Sequence, residues 1–249
     1  MAIRSYGLSA TALKYIAILA MTIDHITWVF VKTPTYLGQG LHFFGRLTIV
    51  TMSFLVVEGY IHTKSFKRYL TRLLLFAIVS QPIFFFYENV NHLNDIKLEN
   101  ILSFNVLFSL SFALASLKVF DSELNGALKF VVIILLCALS YYCDWCFFPI
   151  IFALVFYAMR DNKLKKALSF SIVAIFTALF YIIRFSIKYN VNLHTAFCYD
   201  AMMLGLLLGI LPILLYNGKR GRGGKASKWF FYVYYPLHLL VLGLIKCFI

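Results

Sequence analysis

The chain has 249 residues, of which 62% are hydrophobic and 13% charged, and Lys plus Arg exceed Asp plus Glu by 13. Soluble domains run closer to about 45–50% apolar and about 25% charged, so a water-soluble core is excluded and a membrane is the solvent that fits. In a soluble chain the basic excess would point to nucleic acid. Here the cations gather in short links between apolar runs, which is a topology signal, and no nucleic-acid partner is expected.

A membrane-crossing helix takes about 20 mostly apolar residues, roughly 17–25. Nine segments are candidates: 13–31, 41–61, 69–87, 101–117, 127–142, 147–159, 167–186, 201–216 and 229–249. The first follows Arg4 as a signal peptide would. It has no small-x-small cleavage site and is broken by Asp24-His25, so it reads as a retained helix. The fifth and sixth are short and joined by "YYCDWC", Tyr141 to Cys146, and are either two spans or one re-entrant pair. Of the 23 Lys and Arg, 17 fall in 1–14, 62–72, 118–129, 160–166 and 217–228. The intervening segment 88–100 carries Glu88, Asp95 and Glu99. The positive-inside rule then puts the N-terminus in the cytoplasm and Ile249 outside. The sequence predicts an all-α polytopic membrane protein of about nine transmembrane helices, one domain over 1–249, surrounded by membrane lipids. Cys143-x-x-Cys146 is half of a zinc or redox motif with no second half, so no metal is expected. A disulfide is open to it if the outer side is oxidising.

"MTIDHITWVF", Met21 to Phe30, sets a carboxylate and an imidazole inside the first apolar run. Each Asp, Lys or Arg facing lipid at mid-bilayer costs about 2.5–3.5 kcal/mol. Asp24, Arg46 and Glu58 must therefore face protein, pair, or line a wet cavity. By depth, Asp24, His25 and Arg46 meet in the outer half, and Glu58 lies near the inner end of the second span. An Asp24–Arg46 pair alone would lock two helices; the adjacent histidine adds chemistry that a lock does not need. Lys14 and His25 are eleven residues apart, so on a helix they lie within about 20° of one face and ~16 Å apart. The stripe Lys14–Ile18–Met21–His25 offers a cation at the inner mouth and a base within, a path for an anionic ligand with a long reactive arm. The last inner link, "YNGKRGRGGKASK" over 216–228, has five cations and four glycines, and such a loop can wrap phosphates. Pro236 kinks the last helix, with His238 near its middle. His42, His62, His92 and His194 read as solvated.

"LKYIAILAMTIDHI" (13–26), "FGRLTIVTMSFLVVEGYIHT" (44–63), "YLTRLLLFAIVSQPIF" (69–84), "NVLFSL" (105–110), "CDWCFFPIIFALVFY" (143–157) and "YNGKRG…KWFFYVYYPLHLL" (216–240) together resemble the TraX family, in its order and over most of the chain. The family's founding member is required for N-terminal acetylation of F pilin. The resemblance implies a multi-pass acetyltransferase of the bacterial inner membrane that draws on acetyl-CoA. Acyltransferase-3-type enzymes are distantly similar: their first span carries an arginine, ten residues and a histidine, where this chain has Lys14 and His25. The family's Asp-Tyr-Gly around Asp144 is here Asp144-Trp145-Cys146.

On that footing His25 is expected to be the general base, because imidazole titrates near neutrality. Asp24 would orient or charge it, and Arg46 would face the developing oxyanion. Asn105, Asp144, His238 and Glu58 are expected to line the substrate pocket. Lys14, Lys67, Arg68, Lys219 and Arg220 are expected to hold the phosphates of CoA. The expected acceptor is the N-terminal amine of a pilin or a similar envelope substrate. A glycan hydroxyl is the alternative acceptor. A proton-coupled transporter would also bury Asp, His, Arg and Glu, but no two-half repeat is visible. A pilin assembly factor without catalysis is the third class.

Overall fold

The computed structural model describes residues 7–92, 96–221 and 224–248. Arg4, Asp95, Arg222 and Ile249 lie outside the described residues, as do the side chains of His92, Glu99 and 225–228.

The described chain is helical, with isolated bridges in place of strands. Its helices are α1 (Ala10–Phe30), α2 (Tyr36–Gly45), α3 (Leu47–His62), α4 (Phe66–Asn89), the single turn α5 (Leu98–Ile101), α6 (Val106–Phe120), α7 (Gly126–Ser140), α8 (Phe148–Ala158), α9 (Lys163–Tyr189), α10 (Leu193–Asp200), α11 (Ile210–Leu214) and α12 (Gly224–Lys246). A 3-10 helix, Ala201–Gly209, joins α10 to α11, and α2 runs into α3 with a break at Arg46. Each of the nine predicted apolar segments is helical for most of its length, but among the described residues six helices are long and apolar enough to cross a membrane: Ala10–Phe30, Tyr36–His62, Phe66–Asn89, Lys163–Tyr189, Leu193–Leu214 and Trp229–Lys246. The other three, α6, α7 and α8, have 15, 15 and 11 residues. At about 1.5 Å per residue they fall short of a ~30 Å hydrocarbon layer. Over its described residues the protein is therefore an all-α membrane protein with six candidate spans.

The helices form two compact units, Met1–Met52 with Met159–Lys228, and Ser53–Ala158 with Trp229–Ile249. In the first unit, α1 starts at Ser9, whose Oγ accepts from the Ala12 N–H, and stops where Val31 turns extended. Pro34 keeps Thr33 out of helical geometry and seals that end. The buried face of α1 is Leu13, Ala17, Ala20, Asp24 and Thr27, spaced four, three, four and three. Its two alanines let α3 approach until the Thr48 hydroxyl donates to the Ala17 carbonyl at 3.1 Å. Gln39 on α2 is the staple for the 3-10 segment: its amide nitrogen donates to the Tyr199 carbonyl at 2.7 Å, and its amide oxygen accepts from Met202 N at 2.9 Å. Leu8 bridges to Tyr216, so the start of α1 and the link after α11 share one end of this unit.

In the second unit, Asn105 caps α6 and ties it to α4 one turn before Pro82. Small residues on α6 (Ser109, Ser111, Ala113 and Ser116) are buried. Phe104 bridges to Cys143, which puts the link before α6 and the turn between α7 and α8 at one end.

Candidate functional site

Asp24 and Trp28 on α1 are four residues apart, as are His42 and Arg46 at the end of α2. That spacing stacks each pair on one helix face. The two faces meet. His42 Nδ1 donates to Asp24 Oδ1 at 2.8 Å, and Arg46 Nη2 approaches the same oxygen at 3.5 Å. The His42 ring packs on Trp28 with centroids 4.2 Å apart, and the Arg46 guanidinium lies 5.9 Å from the Trp28 ring centre. Arg46 also donates to the Met202 sulfur at 3.5 Å, and buried Asp200 is within its electrostatic reach. Gly45 makes room for this arrangement, because a Cβ there would collide with the Asp24 carboxylate.

His42 corrects the sequence reading. It is not solvated: it is 0% exposed, and it is the nearest partner of Asp24. With Nδ1 held by Asp24, the ring nitrogen left over is Nε2. That atom is buried and has no hydrogen-bond partner among the described residues. A buried nitrogen left unpaired costs about 1–3 kcal/mol. The i, i+4 spacing of His42 with Arg46 was the signal in the sequence. Asp200 and Gln39 were also missed; only the fold brings Asp200 to α2, where Gln39 holds the neighbouring Tyr199 and Met202 backbone. His62 and His194 are exposed, as expected.

His25 sits beside Asp24 and within its electrostatic reach. It is not on the buried face. Lys14, Ile18, Met21 and His25 are all half-buried, a stripe running alongside the buried face for the length of α1. Over Lys14 to His25 the helix is unbroken, so the separation of ~16 Å holds.

Lys219 and Arg220 lie against the start of α1, but not as a phosphate cradle made of backbone N–H groups. The loop offers carbonyls instead. Ala10 N donates to Lys219 O at 2.9 Å, and Thr11 N donates to Arg220 O at 3.0 Å. Lys219 N is itself taken by the Asn217 side chain at 3.0 Å. The link caps α1, and Gly221, at φ 81°, passes so close to Ser9 that a Cβ would collide with its hydroxyl. The Lys219 and Arg220 side chains stay exposed, so any contact they make with an anion is through charge.

The remaining candidates lie in the second unit. Lys67 and Arg68 are exposed on the first turn of α4. Half-buried Glu58 is 3.6 Å from Nε2 of His62, one turn on. His238 donates from Nδ1 to the Tyr234 carbonyl at 2.9 Å and stacks on the Tyr234 ring at 5.2 Å. Asp144 sits in the turn after α7, within electrostatic reach of Tyr235. Asn105 is fully engaged: Oδ1 accepts from Leu107 N, and Nδ2 donates to the Ala77 carbonyl and to Gln81 Oε1, both at 2.8 Å. Its geometry is that of a helix cap and a joint. His25, Asp24, Arg46, Lys14, Lys219 and Arg220 therefore belong to one unit; Asn105, Asp144, His238, Glu58, Lys67 and Arg68 belong to the other.

Fold and site together define a polytopic helical membrane protein with a buried Asp–His–Arg cluster on its first two long helices. The chain belongs to the TraX family, whose pattern matches residues 9–246. It is 33% identical over 250 residues to the "Probable fimbrial assembly protein FimC, serogroup H1" of Dichelobacter nodosus, covering 99% of each chain. No solved structure matches it.

Proposed function

We propose that this chain is an acetyltransferase of the bacterial inner membrane that moves an acetyl group from cytosolic acetyl-CoA to the N-terminal amine of a pilin or fimbrial subunit. Family membership and the name of the fimbrial relative support the substrate class. The observation that carries the reading is the half-buried stripe from Lys14 to His25, flanked by the Lys219–Arg220 link at its start and by the Asp24–His42–Arg46 cluster near its end.

In this reading the CoA phosphates sit by Lys219, Arg220 and Lys14, and the pantetheine arm runs along the stripe. His25 takes the proton from the attacking amine. Nitrogen adds to the thioester carbonyl, the C–S bond breaks, and the CoA thiolate leaves with the proton that His25 returns. Asp24, which His42 and Arg46 both approach at Oδ1, steadies the imidazolium of His25. Arg46, whose Nη2 approaches Asp24 Oδ1 at 3.5 Å, supports Asp24 and brings a cation to the side where the oxyanion develops.

Neutralising Lys219 and Arg220 together should weaken acetyl-CoA binding at least several-fold, and the loss should shrink as salt rises, because charge contacts at an exposed mouth are screened. Folding should be unchanged, since exposed cations contribute little to stability and the carbonyls that cap α1 are backbone. Equilibrium binding of acetyl-CoA to the purified protein at two salt concentrations checks this. The fimbrial relative's name also fits an assembly factor without catalysis; such a protein would show no acetyl-CoA binding to lose.

The charge pattern orients the chain with 62–72 and 217–228 in the cytoplasm and 88–100 outside, an orientation in which the short helices α6, α7 and α8 each cross a locally thinned layer with the help of their flanking residues. Single cysteines placed at Asn91 and Gly218 test this with a membrane-impermeant maleimide added to whole cells. The first should be labelled and the second spared; labelling at Gly218 would overturn both the orientation and the cytosolic donor.

A further inference from the structure

We propose that Cys143 and Cys146 are joined by a disulfide across the turn between α7 and α8. The Cys146 N–H donates to the Cys143 carbonyl at 2.8 Å, which closes a four-residue β-turn. A β-turn holds its end Cα atoms within about 7 Å, the range over which a disulfide spans, roughly 4.4–6.8 Å. Both cysteines are buried, so the link would be enclosed by protein.

The turn carries strain that a cross-link would hold. Trp145 has φ 66° and Cys146 φ 48°, two consecutive non-glycine residues in the left-handed region. L residues with a Cβ enter that region only at a cost. Side-chain and backbone bonds pin the same turn from several directions. Asp144 N donates to Phe104 O at 2.7 Å, Phe104 N to Tyr142 O at 2.9 Å, and the Ser140 hydroxyl to Cys146 O at 2.6 Å; the Ser109 hydroxyl donates to Asp144 O. The two thiols, both free in this structure, thus sit at the ends of one tightly hydrogen-bonded turn.

Burial pushes the Cys143 thiol up to about 12, with the Ser140 and Ser109 hydroxyls opposing that shift. Thiolate is the species that attacks disulfides and binds metals. In the packed turn Cys143 is therefore a poor nucleophile, and oxidation belongs to folding, before the turn is buried. The oxidant is an external disulfide, that of a thiol–disulfide oxidoreductase. The two cysteine S–H bonds give up their protons, one S–S bond forms between Cys143 and Cys146, and the external disulfide is reduced to two thiols. An oxidising side is required. That requirement rests on the orientation proposed above, in which the links at this end, 96–105 and 141–147, face outward. They hold one cation, Lys97, against four in 62–72.

The test is thiol counting on protein taken from membranes, acid-quenched and alkylated under denaturing conditions. Of the five cysteines, Cys137, Cys198 and Cys247 should be alkylated without reductant, and all five after reduction. The peptide holding Cys143 and Cys146 should be lighter by two hydrogens until reduced. A variant with Cys198→Ser and Cys247→Ser should keep the reduction-sensitive pair. Alkylation of all five without reductant, or a bridge from either residue to Cys198 or Cys247, would overturn the proposal. The labelling at Gly218 reports on the orientation separately, and acetyl-CoA binding on the donor reading, so failure of either is told apart from failure of the disulfide.

Discussion

His25→Ala is expected to cut acetyl transfer by about 10²–10⁴-fold, the usual range for loss of a general base, while acetyl-CoA still binds. The cations assigned to the donor are at the start of α1 and in the link that caps it, ~16 Å along the helix from His25 for Lys14. The fold should survive, because His25 is half-buried and off the face that α1 presents to its neighbours. Single-turnover transfer and equilibrium donor binding, measured on one preparation, separate the two effects. Near-wild-type transfer would move the base role to His42, the other imidazole beside Asp24.

Asp24→Asn is expected to act on stability first. Arg46 is 5% exposed, and its nearest carboxylate oxygen is Asp24 Oδ1 at 3.5 Å. Removing one partner of a buried pair costs about 3–5 kcal/mol, because the other charge is left in a medium that solvates it poorly. A thermal unfolding midpoint well below wild type in the same detergent would show this. Asp24→Asn with Arg46→Gln should recover much of the midpoint, since neither member of the pair is left without the other, yet transfer should stay low. A single Asp24→Asn variant as stable as wild type would mean that Asp200 serves as the counter-ion of Arg46.

Hydropathy made the helices legible, and depth brought Asp24, His25 and Arg46 to one level while leaving open which of the two Asp24 pairs with. Depth does not give direction, and that is where the reading of His42 failed. The predicted second span began at 41, which left His42 at the water interface. In the structure α2 begins at Tyr36, so His42 is in its second turn and faces α1. The 216–228 link misled for a different reason. Its glycines and cations fit a phosphate loop, and only the fold reveals that its carbonyls cap a helix some 209 residues away in sequence. Asn105 carried a local signal that was passed over. An asparagine just before an apolar run is a preferred N-cap, and the predicted start at 101 ran through it to a helix that begins at Val106. Asp200, placed by the break between α10 and the 3-10 segment, and its link to α2 through Gln39 had no trace in the sequence.

The central claim, transfer of acetyl from acetyl-CoA to a subunit's terminal amine, is tested most directly with purified protein in vesicles. The reagents are acetyl-CoA labelled in its acetyl group and a pilin or fimbrial subunit with a free N-terminus. The account predicts that label moves to that amine, with one CoA thiol released per acetyl group transferred, and that His25→Ala slows both by about 10²–10⁴-fold. Subunit that stays unlabelled while the protein is folded and acetyl-CoA is present, with no CoA released, would contradict it.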